Sequence, residues 1–505
     1  MASCRNMGLL STYREVMDTP MRRQVVVALS AAYLLVQVSS FPVALTLPSI
    51  ADHFNVSVTT AAWVMIANLL VLGSTVYLAA KLGDRYGHKE AFFIGIVIIT
   101  LAAAGAAFSQ SLEQLIICRA LQGIGAAFAT GNINAILAGT FPWQQRGRAF
   151  AMPVTAGQVG VFLSLIFFTI FLQYISWRAV FITFIPLGIM AIAAGLPLLK
   201  HKDTRPQLAQ VPINFVGGIL FIGAIATLIL ASSHLHSGEE SFTSSDAISY
   251  HIPMHILFAG LLAAFIVAEL KMKQSFLDFR QFKNSNFSMA LFSNISFHLS
   301  MLAIMTLVPI MVQKGFAKDP IFIIYVLLPH ECVNLFVPMV AGWYYDRHRP
   351  RLLRPIALSL IALGIILVGI VGLRVPFWYV PLLILPASLG TGLFNTINNT
   401  AIMNSVSAEQ RGFASGMIET TRHVGHTLGA TIAASAMALA TPVALDLLEP
   451  GESKGYVRDG IQAATLAVVW LIIAGAVVAF YHKAALPLKS GRDATPQAPA
   501  SGDGG

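Results

Sequence analysis

Four ionisable side chains, Glu419, Arg422, His423 and His426, stand at i, i+3, i+4 and i+7 in the stretch ETTRHVGHTLG, residues 419–429. On a helix this spacing gathers them within an arc of ~100°. The stretch around them is otherwise apolar and Gly-rich and reads as a membrane helix. A stripe of charge there faces the bundle interior or a water-filled cavity rather than lipid. The chemistry open to such a set is proton transfer. Glu419 is the expected acceptor and Arg422 its charge partner. The two His residues relay protons or contact substrate, since an imidazole titrates near about 6.5. The competing reading is a self-satisfied Glu–Arg pair that locks helix packing.

A second candidate is LLPHECVNLF, where His330 and Glu331 follow Pro329 in mid-helix and Glu331 and Asn334 stand at i, i+3. The pattern is not H-E-x-x-H, so metalloprotease chemistry is unsupported, and a buried carboxylate beside a His reads as a proton site. Arg119 lies about five residues into another apolar segment. A charge costs on the order of 2.5–3.5 kcal/mol at a helix centre and less toward its ends, so Arg119 carries function, snorkels, or bonds backbone carbonyls. Gln37, Asn68, Gln158, Asn294, His298, Asn395, Asn398 and Asn399 are candidates for lining a substrate cavity. Interhelical hydrogen bonding is an equal alternative for the amides. Between apolar segments, Asp84, Arg85 and Gly87 in one loop and Asp346 and Arg347 in another could latch and release two bodies through charge-assisted hydrogen bonds.

These residues need membrane helices to position them. The chain has 505 residues, of which 56% are hydrophobic and 11% charged. Soluble globular chains carry about 45–50% apolar and about 25% charged residues. With a ruler of about 20 apolar residues per span, fourteen segments emerge: 24–47, 61–80, 91–109, 114–139, 150–172, 178–199, 213–232, 253–271, 287–312, 320–344, 354–373, 377–404, 413–440 and 461–482. With the N-terminus in the cytoplasm, 24 of the 32 Lys and Arg fall in cytoplasmic segments and six in outside loops. The remaining two, Arg119 and Arg422, lie inside helices. This bias supports an even span count with both termini cytoplasmic. It also explains the net charge of +9 without a nucleic-acid partner. Cys4, Cys118 and Cys332 form no disulfide or zinc pattern. The acidic, His-bearing stretch 232–252 (His234, His236, Glu239, Glu240, Asp246, His251) is read as a solvated loop in preference to a metal site. No cofactor is expected.

The chain also repeats itself. QRGRAFAMPVTAGQVG (145–160) and QRGFASGMIETTRHVG (410–425) share eight residues at a constant offset of 265. Asp84–Arg85 and Asp346–Arg347 pair at an offset of 262. The chain therefore reads as a duplication, helices 1–6 and 9–14, with two helices inserted between. Repeats that enclose a site at their interface are a transporter plan.

KLGDRYGHK after helix 2 resembles the loop signature of the major facilitator superfamily, with Ala80 at its first Gly position and His88 at its first basic position. RALQGIGAA (119–127) resembles that superfamily's helix-4 motif. PSIADHFNVSVTTAAWVMIANLL and WRAVFITFIPLGI (177–189) resemble the fourteen-helix drug:H+ antiporter branch. The resemblance covers roughly 23–483. It implies that Asp84 and its neighbours are a conformational switch and that Arg119 serves proton transfer or substrate charge. Two signatures of the branch are absent. The helix-1 Asp position is Ser39, and helix 5 reads TAGQVGVFLSL, with Gly157 and Gly160 but no Gly-Pro pair.

The expectation is an all-α polytopic membrane protein of the major facilitator fold. It has a cytoplasmic arm (1–22), a first six-helix half (23–200), two inserted helices with linkers (201–284), a second half (285–484) and a disordered tail (485–505). The resemblance implies a secondary active transporter that exports a small organic molecule, multidrug-like, against protons. The alternative is a facilitator or proton symporter for an anionic or neutral solute. An enzyme would need a dyad, metal cluster or phosphate loop, and a receptor a soluble output domain. The expected partners are a small-molecule substrate, protons and the lipid bilayer, with a periplasmic adaptor left open. The expected location is a bacterial inner membrane.

Overall fold

A computed structural model describes residues 9–200, 214–232, 245–272, 275–319, 321–440 and 450–481. In lipid the backbone must satisfy its own hydrogen bonds, and long apolar runs do so as helices. The fourteen principal helices are α1 (Pro20–Ser40), α2 (Trp63–Tyr86), α3 (His88–Ala107), α4 (Leu112–Thr140), α5 (Arg146–Tyr174), α6 (Trp177–Leu199), α7 (Phe215–Ala231), α8 (Ser245–Lys271), α9 (Ser285–Ile310), α10 (Ile321–His348), α11 (Leu353–Ile366), α12 (Leu385–Asn404), α13 (Arg411–Ala440) and α14 (Pro450–Tyr481). Among the described residues, twelve helices are long and apolar enough to cross a membrane. Helix α7 is apolar but shorter, at 17 residues. Helix α13 is 30 residues long and is diluted by the same ionisable and small polar residues that mark it in the sequence.

Two boundaries differ from expectation for local reasons. Helix α1 stops at Ser40 rather than running to 47. Pro42 has no N–H to donate back along the helix, and the Ser39 and Ser40 hydroxyls both donate to the Val36 carbonyl, at 3.1 and 2.7 Å. A 3₁₀ turn (Phe41–Thr46) and a short helix (Leu47–Phe54) follow. Helix α14 begins at Pro450, so Lys454 and Arg458, expected in a loop, stand on its opening turns. Most of the 232–252 stretch and the tail 485–505 lie outside the described residues. His251 lies on α8, its Nδ1 2.7 Å from the Ala231 carbonyl oxygen.

Helices α1–α6 pack on one another, as do α9–α14, and the two bodies meet along two seams, α2 on α13 and α5 on α10. Helix α7 rests on α2 and α13, and α8 packs on α7. The apolar core of the first half continues into the second through Met403, Ala414 and Met417. These residues lie at the end of the bundle that carries the Asp84 and Asp346 loops, called the basic face below. A separate apolar cluster fills the second half.

Candidate functional site

The two seams repeat one design at the basic face. Helix α5 starts at Arg146, so its first N–H groups have no partner within the helix. Asp346, at the end of α10, takes two of them: Oδ1 accepts from Gly147 N at 2.8 Å and Oδ2 from Arg148 N at 2.9 Å. The Arg148 Nε donates to the same Oδ2 at 3.1 Å. A carboxylate at a helix N-terminus is favoured by both the free donors and the helix dipole. Gly147 is required by packing, because its Cα faces the Gly342 carbonyl of α10 and a methyl group there would meet Asp346.

At the second seam Asp84, at the end of α2, lies against Gly412 at the start of α13. Gly412 is the repeat position of Gly147. The His88 Nε2 stands 3.3 Å from Asp84 Oδ1. The duplication extends to the neighbouring arginines. Arg146 Nη1 donates to Asn404 Oδ1 of α12 at 2.6 Å, and Arg411 lies over Gly139 of α4. Two positions after the shared Arg the copies part. Phe413 stands where the first copy has Arg148. It joins Tyr77, Phe282 and Phe287, with ring centroids 6.1, 6.2 and 5.5 Å away. Beside it the linker before α9 is gripped by α2. Tyr77 Oη donates to the Phe276 carbonyl at 3.1 Å, and Lys81 Nζ donates to the carbonyls of Phe276 and Ser275. Gly87 turns α2 into α3 at φ +112°, a conformation that favours glycine, with the Glu90 carboxylate packed against it.

Arg85 and Arg347, expected beside the two Asp residues, point elsewhere. Their guanidiniums lie 5.3 Å from the Tyr86 ring centroid and 5.6 Å from that of Trp343. Arg148 is the arginine that reaches the Asp346 carboxylate. It lies inside the quoted repeat, and its replacement by Phe413 was the available signal.

Deeper in the bundle, α13 turns Glu419, Arg422 and His423 to the first half. The Arg422 Nη2 lies 3.2 Å from Glu419 Oε1, and Nη1 donates to the Tyr33 hydroxyl of α1 at 2.8 Å. Asn134 of α4 donates to Glu419 Oε1 at 3.3 Å. Glu419 is 2% exposed and Arg422 8%. Tyr33 was missed because an apolar helix with one phenol carries no charge signal. His423 packs against Gly73 of α2. His426 faces α9, its Nε2 3.1 Å from the Nδ1 of His298.

Glu331 lies at the other seam. Gln158 of α5 donates to its Oε2 at 3.4 Å, and no cationic side chain pairs with it among the described residues. It is 5% exposed. His330 is fully buried, its Nδ1 2.8 Å from the Ser388 hydroxyl of α12. Gln37 lies beside Gly157 of α5. Asn395 accepts from Asn399 at 3.2 Å.

The other candidates hold helices together within one half. Arg119, fully buried, donates to the carbonyls of Val64 (3.0 Å) and Ser39 (2.9 Å) and to Gln122 Oε1 (2.5 Å). Asn68 donates to the Arg119 carbonyl at 3.2 Å. The guanidinium thus reaches position 39, where the branch signature would place an Asp, and meets the Ser39 backbone. Asn294 donates to the Ile418 carbonyl (3.0 Å) and the Thr421 hydroxyl (2.9 Å), and Asn398 to the Ala290 carbonyl (3.1 Å).

Among curated relatives, the riboflavin transporter RibZ of Clostridioides difficile is 25% identical over 383 residues, 76% of this chain and 81% of its own length. The tetracenomycin C resistance and export protein of Streptomyces glaucescens is 24% identical over 420 residues, 81% of this chain and 75% of its own. The solved proton:xylose symporter XylE shares the fold, with a TM-score of 0.58 at 14% identity, over 87% of this chain and 94% of its own. The sequence model of the Major Facilitator Superfamily matches residues 29–430. With two helical bodies meeting at repeated seams, this integral membrane protein belongs to the Major Facilitator Superfamily of transporters.

Proposed function

We propose that the protein is a proton-coupled exporter of a small organic molecule that works by alternating access, its halves rocking around a site near the bilayer midplane. The basic face is then the cytoplasmic side of a bacterial inner membrane, with both termini there. The observation that carries this reading is Glu331. It is the eleventh residue of the 28-residue α10, about 15 Å from the helix start at 1.5 Å per residue, and it lies on a seam that must part. An ionised carboxylate buried without a cation costs several kcal/mol. Glu331 is therefore neutral while the seam is closed and releases its proton when water reaches it. That cycle ties proton movement to the rocking of the halves.

The sequence placed the proton on Glu419. Its carboxylate, however, already has Arg422, so this reading gives Glu331 the proton and makes Glu419, Arg422, Tyr33 and Asn134 the tie between halves. Gln158, His330, Gln37, Asn395 and Asn399 border the substrate path. His423 and His426 lie further along α13, and His298 of α9 meets His426 there. Asp84, Gly87 and Asp346 are the conformational switch. The named export function of the tetracenomycin relative supports the direction.

The second reading, a facilitator or symporter for an anionic or neutral solute, is favoured by Arg422 at the seam and by Ser39 in place of a helix-1 Asp. Everted vesicles with an imposed pH gradient separate the two. A panel of lipophilic cations, organic anions and neutral solutes is added while gradient dissipation is followed. Dissipation by one class that persists in Glu419→Gln and vanishes in Glu331→Gln is the expected result. Loss in Glu419→Gln with coupling intact in Glu331→Gln returns the proton to α13. Solute movement indifferent to the gradient supports the facilitator.

A further inference from the structure

The residues ahead of α1 form a short helix, Leu9–Val16, that lies across the α5/α10 seam. Val16 is fully buried and Tyr13 is 4% exposed, so the arm is seated rather than solvated. The contacts divide between the halves. On the first half, Arg148 Nη1 donates to the Thr12 carbonyl at 2.9 Å and lies 3.5 Å from Glu15 Oε2. On the second, the Tyr13 hydroxyl donates to the Met339 carbonyl of α10 at 2.6 Å. Burial, and after it the Asp346 charge, push the Tyr13 phenol above its ordinary range, so it remains a donor at physiological pH. The exit of the arm is pinned to the first half. Arg23 Nε donates to the Met17 carbonyl at 2.8 Å, and Arg22 pairs with Asp18 at 2.9 Å.

Arg148 therefore binds the arm and the Asp346 latch with one guanidinium. The arm is anchored through α1 and Arg148 to one body, and Tyr13 ties it to the other. Opening the basic face separates α5 from α10. The arm can stay with Arg148, but the Tyr13–Met339 bond must break and the buried Tyr13 ring must leave α10.

We propose that the N-terminal arm is an autoinhibitory strap that holds the α5/α10 seam shut at the basic face. Its strength is coupled to that of the latch because both share Arg148. The strap acts on the closed–open equilibrium and leaves the substrate path untouched. Whatever displaces the arm raises the population open to the basic face.

The test reads seam opening directly and does not depend on the transported solute. Cys4, Cys118 and Cys332 are replaced by Ser, and a reporter Cys is placed at Ala151, which is fully buried on α5 and packs against Gly342 of α10. The purified full-length protein in nanodiscs is treated with a maleimide, and the labelling rate is measured. Tyr13→Phe removes one hydrogen bond and keeps the ring. It should speed labelling about threefold to tenfold, and removal of residues 1–16 should speed it further. Rates in both variants within twofold of the parent overturn the strap. A rise in the truncated protein with none in Tyr13→Phe also overturns it as stated, because the bridge to Met339 would then carry no load.

Discussion

Arg422 reaches across the seam between the two halves and donates to the hydroxyl of Tyr33 at 2.8 Å, while the same guanidinium stays 3.2 Å from Glu419 on its own helix. A buried ion pair within one helix thus doubles as a tie between two bodies. Removing one member of a buried pair costs about 3–5 kcal/mol, because the other charge is left uncompensated. Arg422→Gln should therefore destabilise more than Glu419→Gln with Arg422→Gln together. Thermal unfolding in nanodiscs checks this. A double variant less stable than the Arg422 single variant would mean that the pair contributes net stability beyond mutual compensation.

Tyr33→Phe isolates the inter-half bond. A hydrogen bond to a charged group is worth about 1.5–3 kcal/mol, and Arg422 keeps Glu419 as its counter-charge. The expected outcome is a loss within that range, with the proposed proton coupling retained. Unfolding curves and the vesicle assay are read on the same preparation. An unchanged transition would place the phenol outside the energetics of the seam.

Asp346→Asn removes the carboxylate from the first seam while keeping the side-chain shape. Two backbone donors and the Arg148 guanidinium lose an ionised acceptor. The closed basic face should weaken by several kcal/mol, and the Ala151 reporter should label at least tenfold faster. If labelling stays at the parent rate, the latch is not what holds that seam.

Gly87→Ala tests the turn between α2 and α3. At φ +112° an alanine costs about 1–3 kcal/mol of backbone strain, and its methyl group meets the Glu90 carboxylate. A lower melting temperature is expected, with part of the loss recovered in Gly87→Ala combined with Glu90→Ala. No recovery would assign the cost to the backbone alone.

Much of this architecture could be read from the chain because lipid allows few solutions. Among the described residues, twelve helices at the expected stretches are long and apolar enough to cross a membrane, and the constant repeat offset named residues such as Gly147 and Gly412 that reappear at the seams. The Glu419, Arg422 and His423 face does turn inward. What could not be read is which group meets which. Asp84 and Asp346 are each followed by an Arg in sequence, yet those arginines stack on Tyr86 and Trp343 while Arg148, some 200 positions away, takes the carboxylate. Spacing along one helix reports a shared face. It does not report the partner on another helix, and Tyr33 and Tyr13 carry no sequence mark at all. The early end of α1 follows from a single Pro that the apolar run conceals.

The exchange of Arg148 for Phe413 between the copies has a physical consequence for the cell. One flank of the basic face is closed by a carboxylate and a guanidinium buried from solvent, a contact that dissolved salt screens only weakly. The other adds to the Asp84 carboxylate a cluster of packed rings, whose cohesion weakens on cooling. The two flanks of a duplicated molecule thus differ in their response to temperature. A fall in temperature loosens the ring cluster of the α2/α13 flank, which has no counterpart at Arg148 on the α5/α10 flank.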